Sequence, residues 1–537
     1  MKNSTYDVII IGGGINGAGI ARDATERGLS VYLAEKHDFA FGTTFRSTKL
    51  IHGGLRYLEY YEIGLVRESL RERETLLHLA PHLVKPVKFV IPIYEDNQYG
   101  YGKVKLGLLA YDILSYDKSL KNHTSFGCGE LHSIEPNIRK QNCNGGFTYY
   151  DCQVEYPERL CLMNLMMAKS GGAQINNYTE VVDFIKMGNE INGVIVRDVF
   201  TGEEKEIYGK IIINASGPWV DEVLKLHAIS PKRKMGGTKG THLLLPKFPS
   251  GPHHAIYVPT HQDGRPFFII PWRDYYWVGT TDIRFTNNLD DVRSSREEID
   301  YLLREVNFVF PLAGITTQDI IYCIAGVRPL PVTSSETEEA EITRKHIIFD
   351  HEDEGLEGLI SIIGGKLTTY RNLAEETVDL IFKKLERDVS PCTTGEQPIL
   401  GGDIDDIEQY RNEAIQLYAR KTGFSAEQIA YLISLYGTNF KQIIHLAESD
   451  PKLAQPISDQ HPAIVAQIIF AIKHEFARTL ADIYIRRTGV GISPGQGLDS
   501  VKTGAKIMGK YFNWRRKRVK QEIKQYKKTI ESMFWFE

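Results

Sequence analysis

The chain has 537 residues, of which 42% are hydrophobic and 25% charged. That length exceeds one ordinary core and predicts a soluble globular protein of two or three domains. A formal net charge of −4 argues against general nucleic-acid binding, so any basic patch is local.

The N-terminus enters a strand almost directly, with no charged–apolar–small signal pattern. No apolar run approaches the roughly 18 residues of a spanning helix. Cys128, Cys143, Cys152, Cys161, Cys323 and Cys392 include no CxxC pair. That predicts no zinc or other metal site, no thioredoxin-like pair, and reduced thiols in a cytoplasmic protein.

Tyr6 to Ile11, "YDVIII", reads as a short buried parallel strand. It runs into Gly12, Gly13 and Gly14, with Asn16 and Gly17 close behind. A helical pattern follows, then the strand "LSVYLAE" ending at Glu35. This is G-x-G-x-x-G in a β-α-β unit with an acid about 20 residues on, the pattern of a dinucleotide site. Gly12 permits the tight turn, Gly14 lets the main chain approach a pyrophosphate, and Gly17 lets helix and strand pack. The helix N-terminus offers free N–H groups to the phosphates, and Glu35 is placed to accept from an adenosine ribose.

"RSTKLIHGGLRYLEYY" (46–61) holds two arginines, a lysine and a histidine around a double glycine. It suggests backbone pressed close to something anionic. The central region, roughly 80 to 350, contains strands such as "HLLLP", "PFFIIPW" and "YYWVGTT". A strand at 208–223 ends in Asn214, Ala215, Ser216 and Gly217, and another at 358–381 leads through Gly364, Gly365 and Lys366 to a helix beginning at Leu367 and Thr368. An NAD domain finishes within one compact unit. Strand-to-glycine turns returning more than 300 residues later suit FAD held by discontinuous segments.

Residues 390–406 read as a linker. Ser425 and Gln428 form a capping box ahead of a helix, and "PAIVAQIIFAIKHEFA" reads as another. From Ala505 to Ile530 stand ten Lys or Arg and one acid, Glu522, with Phe512, Val519, Ile523, Tyr526, Ile530 and Met533 at helical spacings. That predicts a basic amphipathic helix over 505–536. It lies either on an anionic membrane surface or against its own domain.

"IIGGGINGAGIARDA", "STKLIHGGLRYLE", "KGTHLLLP", "VGTTD", "AGVRPL" and "IGGKLTTYR" resemble the FAD-dependent glycerol-3-phosphate dehydrogenases, in order and along almost the whole chain. The resemblance implies an α/β fold: a Rossmann-like FAD-binding domain and an antiparallel-sheet substrate domain, as in D-amino acid oxidase, plus an all-α C-terminal domain. The expected divisions are 1–80 with 150–235 and 345–388 for FAD, 81–149 with 236–344 for substrate, and 389–537 for the helical domain. It further implies noncovalent FAD and oxidation of sn-glycerol 3-phosphate to dihydroxyacetone phosphate, with a quinone as acceptor on the inner face of the cell membrane. The sequence leaves a homodimer open.

Carried over onto these positions, Ser47, Thr48 and Lys49 lie along the flavin, and Arg56 and Tyr57 face the substrate. Arg56 and Arg328 suit a phosphate because a guanidinium fork binds two oxygens. For Arg328 a bracing salt bridge is the alternative. His242 is the first candidate base and His52 the second, because histidine titrates nearest working pH. Lys366 serves the flavin pyrimidine or the substrate phosphate, and Asp282 is either an orienter of a neighbouring group or a turn residue, and is left off the catalytic list. Two rival readings stay open: an oxygen-reducing glycerol-3-phosphate oxidase, and a flavin-binding protein without catalysis.

Overall fold

The computed structural model describes residues 5–226, 232–333 and 342–534. Residues 535–537 of the basic end lie outside the described residues.

The first sheet is ordered Ile347–Asp350, Leu359–Ile363, Glu204–Asn214, Tyr6–Ile11, Val31–Glu35, Gln174–Asn177. Tyr6–Ile11 sits between Val31–Glu35 and Glu204–Asn214, parallel to both, and Leu359–Ile363 is parallel to Glu204–Asn214. Apolar β-branched runs form these strands because both faces are covered. The helices Ile15–Glu26, Pro157–Ser170 and Tyr370–Lys384 share one core with the sheet, and the hairpin Thr179–Met187/Glu190–Asp198 packs on the other face. Because the three strands run parallel, their glycine turns emerge at one edge. The strand order reverses there about Tyr6–Ile11, which makes that edge a crevice for a ligand.

The second sheet has ten strands. At its centre Thr238–Pro246 pairs antiparallel with both Tyr275–Gly279 and Tyr322–Arg328, and Pro266–Trp272 follows Tyr275–Gly279. Alternation sends Leu243, Leu245 and Val278 toward the helix Arg296–Val309, while Leu244, Trp272, Trp277 and Tyr322 join the core of the C-terminal domain.

That domain is helical apart from a two-stranded hairpin, Pro456–Ser458 with His461–Ile464. The capping box forms: Gln428 N donates to Ser425 Oγ at 3.1 Å and Ser425 N to Gln428 Oε1 at 3.0 Å. Other expectations need correction. "PAI" belongs to the hairpin, so its helix spans only Val465–His474. The basic end is two helices, Val501–Tyr511 and Arg516–Phe534, broken where Asn513 takes a φ of 55°. Its apolar stripe is docked on the chain's own core: Tyr526 and Ile530 are buried, Tyr526 donates to Gln496 O at 2.6 Å, and Glu522 accepts from Leu480 N at 2.7 Å. The stripe's hydrophobic payload is spent inside the protein, so only the basic face is left outside. Cys128 and Cys143 are joined in a disulfide with Cα atoms 5.9 Å apart, against the expectation of six reduced thiols. A spacing rule built on CxxC does not see a pair brought together by folding.

Candidate active site

The glycine turn after Tyr6–Ile11 is as tight as the sequence implies. Gly12 holds a φ of 110°, and a Cβ there would sit 2.6 Å from Ala215 O. A Cβ on Gly17 would lie 2.0 Å from Gly12 O, so this position admits only glycine. At Gly14 the nearest atom to an added Cβ is Thr44 Oγ1 at 3.5 Å. The helix Ile15–Glu26 has no side-chain cap, and Asn16 Oδ1 in its first turn is buried without a partner. The positive end of this helix and a bare Gly14 fit a pyrophosphate.

One cleft runs from this turn along the sheet edge. Gly12, Gly14, Asn16 and Glu35 line one wall, with Ser216 and Gly217 from the second turn and Gly365, Lys366 and Leu367 from the third. Thr44 and Ser47 complete it. Glu35 accepts from Gly13 N at 2.7 Å and His37 N at 2.8 Å, which fixes its carboxylate at the cleft. The cleft therefore offers a phosphate cradle, an acid at ribose distance from it and a further glycine turn at the far end. These residues fit FAD.

Thr48 and Lys49 leave this cleft. Thr48 Oγ1 meets His242 Nε2 at 3.0 Å, while Lys49, at a φ of 60°, turns its side chain into the core. Thr368 pins the neighbouring loop, accepting from His52 N at 3.0 Å and donating to His52 O at 3.2 Å. The helix after Lys366 starts at Tyr370, not at Leu367, because residues 367–369 form a turn. The double glycine lies against Lys366, whose Nζ donates to Gly53 O at 3.3 Å. Gly53 N donates to Tyr111 Oη at 2.9 Å, and a Cβ on Gly54 would lie 2.2 Å from the Tyr57 ring.

That close approach gathers charge around Tyr57. Lys366 Nζ lies 4.7 Å from the centre of the Tyr57 ring and donates to Ser69 Oγ at 2.8 Å. Burial pushes the Lys366 ammonium down to about 7, against the pull of Asp151, Glu68 and Glu62. Burial raises the Tyr57 phenol, and Arg344, Arg56 and Arg328 oppose that rise. Arg56 meets the Tyr60 hydroxyl at 3.2 Å. Arg328 is braced: its guanidinium donates to Asp282 at 2.9 Å, and to Thr280 Oγ1 and Thr281 O at 3.1 Å each. Arg344 reaches the same carboxylate at 3.4 Å. Burial works to raise Asp282, but Arg328 and Arg344 hold it below the usual range.

Arg344 was not a candidate in the sequence, and Asp282, weighed there as an orienter or a turn residue and left off the catalytic list, holds both guanidinium groups. No motif marks Arg344, and the acid that joins it to Arg328 stands 62 positions away. His242 is buried and His52 partly buried. Burial, with Arg328 and Lys49, pushes His242 down to about 3, and burial, with Lys366 and Arg73, does the same to His52. A second cavity opens from Arg56 and Tyr257 past Ile91, Ile93 and Val104 to exposed Tyr61, Ile63 and Leu106.

A parallel sheet with its glycine-turn cleft, set beside an antiparallel sheet that presents a cationic pocket, defines an FAD-dependent oxidoreductase of the D-amino-acid-oxidase type. Residues 7–371 match the model of the family described as FAD dependent oxidoreductase, and residues 392–519 that of the C-terminal domain of alpha-glycerophosphate oxidase. The chain is 42% identical to a glycerol-3-phosphate dehydrogenase of Synechocystis over 99% of its own length and 97% of that protein. It is 36% identical to the aerobic glycerol-3-phosphate dehydrogenase of Staphylococcus haemolyticus, over 91% and 87% of the two chains. It superposes on the glycerol-3-phosphate dehydrogenase of Bacillus halodurans complexed with FAD at a TM-score of 0.82 and 28% identity, covering 100% of this chain and 96% of that one. The chain belongs to the FAD-dependent glycerol-3-phosphate dehydrogenase family, and its cofactor is FAD.

Proposed function

We propose that this chain oxidises sn-glycerol 3-phosphate to dihydroxyacetone phosphate and passes the electrons to a membrane quinone. The observation that carries the reading is the convergence of Arg56, Arg328, Arg344 and Lys366 on Tyr57 beside the FAD cleft. A phosphate dianion needs fixed, partly desolvated donors, and this pocket supplies them. Arg56 and Lys366 take the phosphate oxygens, and Tyr57 forms the wall between them. Asp282 orients Arg328 and Arg344, and its single negative charge leaves the trio with one net positive charge.

Bound FAD supplies the hydride acceptor. His242 removes the hydroxyl proton. Burial, with Arg328 and Lys49, lowers its pKa, which keeps the imidazole neutral and weakens it as a base, and Thr48 fixes the ring by its contact at Nε2. His52 is the second candidate. Arg328 stabilises the oxygen of the developing carbonyl. Gly12, Gly13, Gly14, Asn16 and Gly17 hold the pyrophosphate, Glu35 the ribose, and Ser47, Ser216, Gly217, Gly365, Leu367 and Thr368 the remaining length of the cofactor.

The quinone reading draws on surface chemistry. No helix of the described residues is long and apolar enough to cross a membrane. Along the helix Tyr101–Leu114 and just past it, Leu106, Leu109, Ile113 and Tyr116 are exposed at spacings of one helical face, with Tyr61 and Ile63 exposed at the mouth of the second cavity. Lys103 and Lys105 stand at one end and Lys121 beyond the other. An exposed apolar stripe with basic ends suits an anionic membrane surface. The basic face of Arg516–Phe534 adds an electrostatic contact.

Mixing the purified protein anaerobically with glycerol 3-phosphate tests the reaction: its yellow absorbance bleaches, and an unchanged spectrum refutes it. A second reading, oxygen as the acceptor, is favoured by the match of residues 392–519 to an oxidase domain. Stoichiometric peroxide during aerobic turnover would establish it.

A further inference from the structure

Gly53 stands three positions before Arg56, and side chains from separate elements gather at its backbone N–H. That amide donates to Tyr111 Oη at 2.9 Å and to Asp151 Oδ1 at 3.3 Å. Tyr111 belongs to the helix Tyr101–Leu114 and Asp151 to the strand Cys143–Val154. The phenol in turn donates to both carboxylate oxygens, at 2.9 and 2.8 Å. Arg73, from the helix Ile63–Leu79, donates to Asp151 Oδ1 at 2.7 Å. All three side chains belong to residues that are buried.

One neutral acceptor would satisfy a backbone amide. A buried carboxylate in that place is costly unless it is paired and hydrogen-bonded. Here the ion pair to Arg73 and the bond from Tyr111 offset the cost. Burial, then Asp151, pushes the Tyr111 phenol well up, so it keeps its proton and stays a donor. The result is a stiff network of charged hydrogen bonds around a single loop amide.

The chain beyond Gly53 shows what this network fixes. Gly54, at a φ of 80°, leads into the short helix Leu55–Tyr60 that carries Arg56 and Tyr57, and its carbonyl accepts from Tyr57 N at 2.9 Å. A Cβ added to Gly53 would lie 2.4 Å from Tyr111 Oη and 2.5 Å from Leu70. With the Tyr57 ring as close to Gly54, the turn has no slack. Lys366 Nζ holds it from its carbonyls, donating to Gly53 O at 3.3 Å and to His52 O at 3.5 Å. The His52–Gly53 peptide thus has Lys366 at its oxygen and Asp151 at its nitrogen.

We propose that Tyr111 and Asp151 are positioning residues for substrate binding: by anchoring Gly53 N they hold Arg56 within reach of the substrate phosphate. The inference rests on the reading of Arg56 as a phosphate ligand. Neither Tyr111 nor Asp151 lines the FAD cleft or the cavity at Arg56, so both act through the loop.

Tyr111→Phe in the full-length, FAD-loaded protein tests the inference. It keeps the ring packed on Tyr149, at 6.0 Å between centroids, and leaves the Asp151–Arg73 pair intact. Anaerobic FAD reduction is followed against glycerol 3-phosphate concentration. The concentration for half-maximal reduction should rise about 3- to 10-fold, the worth of one hydrogen bond, while the limiting rate changes far less. A wild-type half-saturation, even with a lowered melting temperature, would overturn the proposal. In the Arg56→Ala background the same change should have little further effect, because both act on one contact. A full, independent rise there would equally overturn it.

Arg73→Met/Asp151→Leu keeps the proposal open to test should Tyr111→Phe fail to fold. It removes both charges and leaves Tyr111 Oη to accept from Gly53 N. It should fold, hold FAD and need more substrate, and a wild-type half-saturation in it would contradict the inference. A wild-type half-saturation in Arg56→Ala alone is a separate outcome, which refutes the phosphate reading before any anchor variant is compared.

Discussion

Arg487 donates from both terminal nitrogens to the buried carboxylate of Asp38, at 2.9 and 2.8 Å. Arg486 joins it at 2.5 Å. Burial works to raise the Asp38 carboxyl, but Arg487 and Arg486 hold it well below the usual range. Asp38 follows Glu35 by three positions, and the next residues carry Phe39 against Gly13 and Ala40 N onto Gly13 O at 3.0 Å. The C-terminal domain thus grips the loop that shapes the cofactor cleft.

Asp38→Asn keeps the shape and removes the charge facing two buried guanidinium groups. Breaking such a pair costs about 3–5 kcal/mol. The variant should melt at a clearly lower temperature and retain less FAD through gel filtration, measured by the ratio of visible to ultraviolet absorbance. Wild-type melting and FAD content would show the grip to be dispensable.

Arg56→Ala should raise KM for glycerol 3-phosphate by about 10- to 100-fold, the worth of about 1.5–3 kcal/mol for a hydrogen bond to a charged group. FAD content should not change, because Arg56 lies outside the FAD cleft. Steady-state kinetics with FAD occupancy measured on the same sample checks both halves.

Much of the cofactor cleft was legible in the sequence because it is local. The apolar run Tyr6–Ile11, the glycine turn and the helix Ile15–Glu26 occupy the positions that periodicity and turn chemistry predict. The convergence of three glycine turns followed from parallel strands, which place their ends together. What was not legible depends on direction or distance. A motif ties Thr48 and Lys49 to the flavin, yet a left-handed φ at Lys49 sends its side chain to the opposite side. Asp282 and Arg344 meet only after folding. Apolar spacing in 505–536 gives an amphipathic helix without saying what covers it, and here the protein's own core does.

Lys366 carries a pH signature. Its ammonium is lowered to about 7. Between that value and the unfolded value of about 10.4 the folded chain binds fewer protons than the unfolded one, so stability rises with pH across this window. Below about 7 both states hold the proton, and the full cost of the buried ammonium is present. The charge needed for phosphate is lost in the same window, so kcat/KM, which reports the free enzyme, should fall as pH rises above about 7. In Lys366→Arg that falling limb should be absent, since arginine stays charged. A limb of the same position in the arginine variant would exclude Lys366 as its source.

The surface stripe on Tyr101–Leu114 should bind vesicles. Pelleting with anionic phospholipid vesicles at low salt should carry down the wild-type protein, and Leu106→Ser/Ile113→Ser should release most of it. High salt should weaken binding by screening the flanking lysines. Equal pelleting of wild type and variant would move the contact elsewhere on the surface.

The account's central claim is that a cationic pocket at a discontinuous FAD site selects its substrate by the phosphate. Comparing anaerobic FAD reduction by glycerol 3-phosphate and by glycerol tests it most directly, since the two alcohols differ only in that group. The account predicts a rate constant per unit concentration about a thousandfold higher for the phosphate ester, in line with the 2–5 kcal/mol cost of leaving buried charge unpaired. Reduction by glycerol at a comparable rate would contradict it.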